Sequence, residues 1–149
     1  MDKALAGWLG KNIGGTLGGP YEAFTAPLYL DYYEPVPSKA AANDDLDLQL
    51  VWLAMIQRKG IFFVPGDLAE CWNHDIRYHI SEYFMCQRNL ALGIRPPLCG
   101  AFNNWFHHGM GATIRSELWA MMAPGQPDLA VGYAYLDASL DHHGEGLYG

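Results

Sequence analysis

The sequence predicts an all-α fold. Hydrophobic residues recur at helical spacing in most segments, and helix starts and stops alternate along the chain. No two segments with period-two patterning offer themselves as paired strands. Half of the 149 residues are hydrophobic and 17% are charged, the composition of a folded globular chain. That length is enough for a core of its own, so we expect a single domain over residues 1–149.

The first helix is expected over Lys3 to Gly19, where Pro20 stops it. Gly7, Gly10, Gly14 and Gly18 fall on one face of this helix. Each costs about 1 kcal/mol relative to alanine. The repetition points either to tight packing against another helix or to close approach of a backbone or ligand. Tyr21 to Ala42, with Pro27, Pro35 and Pro37, reads as a long irregular loop, a kind of segment that often serves function.

Asn43 opens the clearest helix, with Leu46, Leu50 and Leu53 at i, i+4 and i+7, basic Arg58 and Lys59 in the last turn, and Gly60 as the stop. Asp67 and Glu70 have capping-box spacing for a helix running through Cys71 and Trp72. Another runs from about Glu82 to Leu92 and ends at Gly93. Arg95 to Gly111 reads as loop. A helix over Thr113 to Met122 follows, Pro124-Gly125 breaks it, and Pro127 starts a last helix carrying Leu129, Tyr133, Leu136 and Leu140.

Several function classes are disfavoured. The formal net charge of -7 makes a poor match to phosphate backbones, so no nucleic-acid partner is expected. No stretch approaches the ~20 apolar residues of a membrane span, and Met1 to Leu9 does not read as a signal peptide. Cys71, Cys86 and Cys99 lack metal-type spacing and read as buried thiols in a reducing compartment, which suggests a cytoplasmic location. His107-His108 and His142-His143 are adjacent pairs, without the i, i+4 spacing of a zinc site.

Three constellations remain. Asn43-Asp44-Asp45-Leu46-Asp47 sets three carboxylates at a helix start. Capping and the helix dipole explain them, as does a hard divalent cation that relieves their repulsion. Gly18-Gly19-Pro20-Tyr21-Glu22 brings a glutamate out of a glycine-rich helix end. Gly109-Met110-Gly111-Ala112 precedes a helix, where free N–H groups suit a phosphate, or where the chain simply turns. Beside it, Trp105 and Phe106 stack on a base or fill the core, and the core is the expectation.

In their order, these motifs, closed by Asp-Ala-Ser-Leu-Asp-His-His-Gly-Glu-Gly at residues 137–146, resemble the ADP-ribosylglycohydrolase family, from about Gly7 to Gly149. The resemblance implies an orthogonal multi-helix fold that is incomplete at the C-terminal side in these residues. It implies a two-ion magnesium or manganese site whose first half is Asn43, Asp44 and Asp45. Glu22 matches a catalytic glutamate near the metals. Gly109, Met110, Gly111, Ala112 and His142 match substrate-binding positions.

The implied partner is an ADP-ribose-like small molecule or an ADP-ribosylated protein. The implied reaction is hydrolysis of a glycosidic bond of ADP-ribose or of a related ribosyl or glycosyl substrate. The alternative is a non-catalytic relative that binds ADP-ribose or serves a structural role. Asn43 replaces a common threonine, and Gly15-Thr16 stands where many members carry Gly-Asp. The family's second metal motif, Asp-x-Asp-Thr-like, has no counterpart here, so residues 1–149 alone are expected to bind metal weakly and not to catalyse.

Overall fold

The structure, a computed structural model, describes residues 2–34 and 36–149, so Pro35 of the expected loop lies outside the described residues. Helices account for the regular structure, and no strand occurs among the described residues. The chain divides into two compact units, Met1–Asp47 and Leu48–Gly149. None of the helices is long and apolar enough to cross a membrane, among the described residues.

The first unit holds helix α1 (Asp2–Gly18), a 3-10 turn at Gly19–Tyr21 and an irregular segment leading to the start of α2. Pro20 sits in the turn, as the fixed proline φ requires of a helix stop. The Tyr21 hydroxyl donates to the Glu34 carbonyl at 3.1 Å and accepts its N–H at 2.9 Å, pinning the irregular segment at both ends of one span. No residue of α1 is buried, and Leu5, Leu9 and Ile13 are all exposed. The expected close approach along the glycine face does not occur at Gly10, Gly14 or Gly18, because an added Cβ at each would meet nothing within 4 Å. The crowded glycine is Gly15, on which a Cβ would lie 2.5 Å from Asn43 Nδ2.

Helix α2 (Asp44–Lys59) ends as expected, with Gly60 at φ +86° and its N–H bonded to the Ile56 carbonyl at 2.8 Å. Its buried positions are Leu46, Leu48, Gln49, Trp52 and Met55. Leu50, expected on the core face, is 49% exposed. The buried stripe is centred about one residue round from the leucine repeat because the tryptophan and methionine have larger apolar surfaces to bury.

Helix α3 (Pro65–Asp75) starts three residues earlier than the Asp67–Glu70 spacing implied. Asp67 reaches back to the Val64 N–H at 2.9 Å and acts as the third helical residue, with Pro65 at the first position. Helix α4 (Ser81–Ala91) ends before Gly93, whose φ is +80°. The segment expected to be loop from Arg95 to Gly111 contains a one-turn helix, α5 (Leu98–Ala101).

The helix expected over Thr113 to Met122 is two pieces, α6 (Gly111–Ile114) and α7 (Glu117–Met122), broken where the Arg115 side chain enters the core. Helix α8 (Pro127–Ala138) follows Pro124-Gly125, and a last turn, α9 (Glu145–Tyr148), lies beyond it. Aromatic rings knit this unit together. Trp52 meets Trp72 with ring centres 5.8 Å apart, and Tyr133 stacks on Phe63 at 5.2 Å and on Trp119 at 5.9 Å. On α8, Leu129 is exposed, whereas Tyr133 and Leu136 are half-buried. The Tyr133 hydroxyl donates to the Ile61 carbonyl at 3.1 Å.

Candidate functional site

Four predicted residues lie in the first unit. Asn43 is the cap of α2. Its Oδ1 accepts the Asp45 N–H at 2.9 Å, while Asp47 Oδ2 accepts the Asn43 N–H at 3.3 Å. The cap thereby ties the amide and one carboxylate into the helix start. Asn43, Asp44 and Asp45 are half-buried, and Glu22 is exposed just after the 3-10 turn. Among the described residues no three or more His, Cys, Asp or Glu side chains are arranged to hold a metal ion. In donor chemistry the Asn43–Asp45 set fits a hard cation, since all its side-chain donors near the cap are oxygens and Mg²⁺ takes only one or two carboxylates from a protein while keeping waters. At the same helix start the Asn43 amide fills the space that a side chain on residue 15 would need, which a glycine there leaves open.

The remaining predicted residues lie in the second unit, around a buried charged cluster. Gly109 is half-buried, Met110 is exposed, and Gly111 and Ala112 are buried. The Gly111 N–H is not free for an outside anion. It donates to Glu82 Oε1 at 3.1 Å, so the protein supplies its own carboxylate to the turn. His142 is buried, with Nδ1 2.8 Å from Asp141 Oδ1. An ionised carboxylate only accepts, which places the proton on Nδ1. His142 Nε2 has no hydrogen-bond partner among the described residues and lies 4.0 Å from Glu82 Oε1.

Arg115 anchors the cluster. Its Nε donates to Asp137 at 3.0 Å, and its two terminal nitrogens grip Asp141 at 2.9 and 2.7 Å. Trp119 Nε1 donates to Asp137 at 2.9 Å, and the guanidinium carbon sits 5.0 Å over the Trp72 ring. Burial alone would push the Arg115 pKa down, but Asp137 and Asp141 more than offset it and hold the arginine charged well above its usual range. Burial pushes the Asp137 carboxyl up, and Arg115 recovers only part of that. Asp141 is driven up by burial too, yet Arg115 and His142 outweigh it and leave its pKa below the usual carboxylate range.

Asn104 closes the cluster from the other side. Its Nδ2 donates to the Gly100 carbonyl at 2.9 Å and to the Asp141 carbonyl at 2.7 Å. Trp105 and Phe106, expected in the core, are outside it: Trp105 is 83% exposed. Asn104 takes the buried position of that stretch because its amide can satisfy two carbonyls that an indole could not.

A sequence model of the family described as ADP-ribosylglycohydrolase matches residues 1–149. The chain belongs to the ADP-ribosylglycohydrolase family. Comparisons with curated proteins and with solved structures gave no match. Family membership brings a glycohydrolase-type function and, at a coarse level, ADP-ribose-related substrates. The all-helical structure agrees with the fold of an ADP-ribosylglycohydrolase.

Within this ADP-ribosylglycohydrolase chain, sequence reasoning missed Glu82 and Arg115. Asp137 and Asp141 sit one helical turn apart and so could share one cation, which was the available hint for Arg115. Glu82 carries no local signal, since a glutamate in a first helical turn is ordinarily there for the dipole.

Proposed function

We propose that this chain contributes to hydrolysis of a glycosidic bond of ADP-ribose, free or attached to a protein, with the help of Mg²⁺ or Mn²⁺. The observation that carries the reading is the family match over residues 1–149, which takes in Glu22, the Asn43–Asp45 helix start, the Gly109–Ala112 turn and His142 together. Asn43, Asp44 and Asp45 are the residues that would hold the ion. When bound, such an ion orients ribose hydroxyls and water and lowers the pKa of that water. Glycosidic cleavage at a ribose passes through an oxocarbenium-like transition state. Glu22 is assigned to take a proton from the attacking water, a role open to an exposed carboxylate on an irregular segment. The Gly109–Ala112 turn is assigned to the ribose, since its Gly111 N–H is already held by Glu82, and buried His142 lies 4.0 Å from that Glu82 carboxylate. A cytoplasmic location accords with three free, buried thiols.

The test is release of ADP-ribose from a mono-ADP-ribosylated protein by residues 1–149 joined to a segment that supplies the family's second metal motif, followed with Mg²⁺ and with a chelator. Turnover that needs the ion and disappears in the Asp44→Asn/Asp45→Asn variant supports the reading. Turnover unaffected by the chelator removes the metal from it. Thr16, standing where many family members carry an aspartate, favours a second reading, a relative that binds ADP-ribose without cleaving it. Saturable binding of ADP-ribose with no release at any divalent-ion concentration selects that one.

A further inference from the structure

We propose that Glu82 is the positioning residue of the Gly109–Ala112 turn, holding it in one shape from below. The proposal rests on the reading that this turn meets the ligand. Glu82 is nearly buried, and its Oε1 accepts the Gly111 N–H at 3.1 Å. The same carboxylate explains the glycines above it. A Cβ on Gly109 would lie 2.7 Å from Glu82 Cδ, and one on Gly111 would lie 2.6 Å from Glu82 Oε1 and 2.5 Å from Tyr83 Cε1. The turn carries glycine at both positions because the Glu82 carboxylate and the Tyr83 ring fill the space a side chain would take.

The contacts run onward from Glu82 as a chain with one gap, at His142 Nε2, which makes no hydrogen bond among the described residues. Glu82 Oε1 faces His142 Nε2 at 4.0 Å, His142 is oriented by Asp141 at 2.8 Å, and Asp141 is gripped by Arg115 at 2.7 Å. Arg115 directly follows α6, the short helix that Gly111 begins. Both ends of α6 are therefore fixed to one buried network, its first residue by Glu82 and the residue after its last by Asp137 and Asp141. A four-residue helix has too few internal hydrogen bonds to hold itself. External anchors at both ends supply that rigidity, and a ligand meeting a preset turn pays no ordering cost. The outward groups of the turn are then Met110 and Thr113, both exposed.

The experiment uses the full chain, ¹⁵N-labelled, as wild type, Glu82→Gln and Glu82→Ala. Glu82→Gln keeps an oxygen to accept the Gly111 N–H, so that amide stays protected from exchange as in wild type. In Glu82→Ala the Gly111 amide shifts upfield and exchanges faster. ADP-ribose affinity, measured by calorimetry, falls about tenfold or more in Glu82→Ala and is retained in Glu82→Gln, the scale on which supporting partners act.

A Gly111 amide with the same shift and exchange rate in all three proteins overturns the proposal. If Glu82→Ala does not fold, Glu82→Gln decides it: a Gly111 amide that loses its protection there although an acceptor oxygen is present overturns the proposal. Unchanged ADP-ribose affinity in an alanine variant whose Gly111 amide has moved also overturns it, since the turn's shape would not matter to the ligand. Wild type that binds no ADP-ribose while Gly111 responds as described rejects the ligand reading of the turn and leaves Glu82's hold on it standing.

Discussion

Arg115 is the residue on which most of the buried charge depends. It carries hydrogen bonds to two carboxylates and stands over the Trp72 ring, with no exposed surface. Removing one partner of a buried ion pair costs about 3–5 kcal/mol, because the other charge stays buried without compensation. Arg115→Met is therefore expected to lower the unfolding free energy by that amount in urea titrations, with the slope unchanged. Adding Asp137→Asn and Asp141→Asn removes the stranded charges and should restore part of the loss. A single variant within about 1 kcal/mol of wild type would mean that the carboxylates find protons or water in its place. The same logic explains why this site was only partly legible in the sequence. A capping asparagine announces itself by its position before a helix, as Asn43 does. The burial of Arg115 depends on residues more than twenty positions away, and nothing within its own turn of helix signals it.

Individual elements show which glycines are structural. Gly100 in α5 is enclosed by backbone, and a Cβ there would lie 2.6 Å from the His142 carbonyl oxygen and 2.8 Å from that of Ser139. Backbone cannot swing aside as a side-chain end can, so Gly100→Ala should destabilise by about 1–3 kcal/mol through overpacking. Gly10 in α1 has open space around its missing Cβ and an ordinary helical φ. Gly10→Ala should stabilise its helix by about 0.5–1 kcal/mol from backbone entropy alone. Paired thermal unfolding of the two variants checks both signs, and two shifts in the same direction would contradict the assignment of close approach. Glycine spacing in the sequence marked the α1 face as the place of contact, yet the contacts fall at Gly15, Gly100, Gly109, Gly111 and Gly146. Periodicity records where glycines share a face. It does not record whether anything lies opposite. Punctuation was more informative: Gly60, Gly93, Pro124-Gly125 and Pro127 all stand at real helix ends, because backbone conformation is decided locally. The buried face of α2 and the exposure of Trp105 were not legible, since both depend on what packs beside them.

For the whole molecule, the carboxylates set opposing responses to pH. Asp67 is lowered first by its Lys59 hydrogen bond, Asp75 by His74, and Asp141 by Arg115 and His142 working against burial. A lowered carboxyl contributes stability above its unfolded value, about pH 3.9, and loses it as the pH falls through the folded value. These three groups therefore give stability that declines on acidification below about pH 4. Asp137 has the opposite sign, because burial raises its folded-state pKa. Its contribution is complete below the unfolded value and is lost as the pH rises through the raised folded value. Together they predict a stability profile with a shallow maximum just above about pH 4, steeper on the acid side where three groups act together. Asp137→Asn should remove the decline on the alkaline side of that maximum and leave the acid limb in place. Asp67→Asn with Asp75→Asn should flatten the acid limb instead, though only slightly, since both pairs are partly solvated. Urea titrations at half-unit steps from pH 3 to pH 8 on these variants separate the two limbs. An alkaline-side decline that persists in Asp137→Asn would assign that limb to a group outside the Arg115 cluster, and the buried arginine would then be holding both of its carboxylates ionised through the whole range.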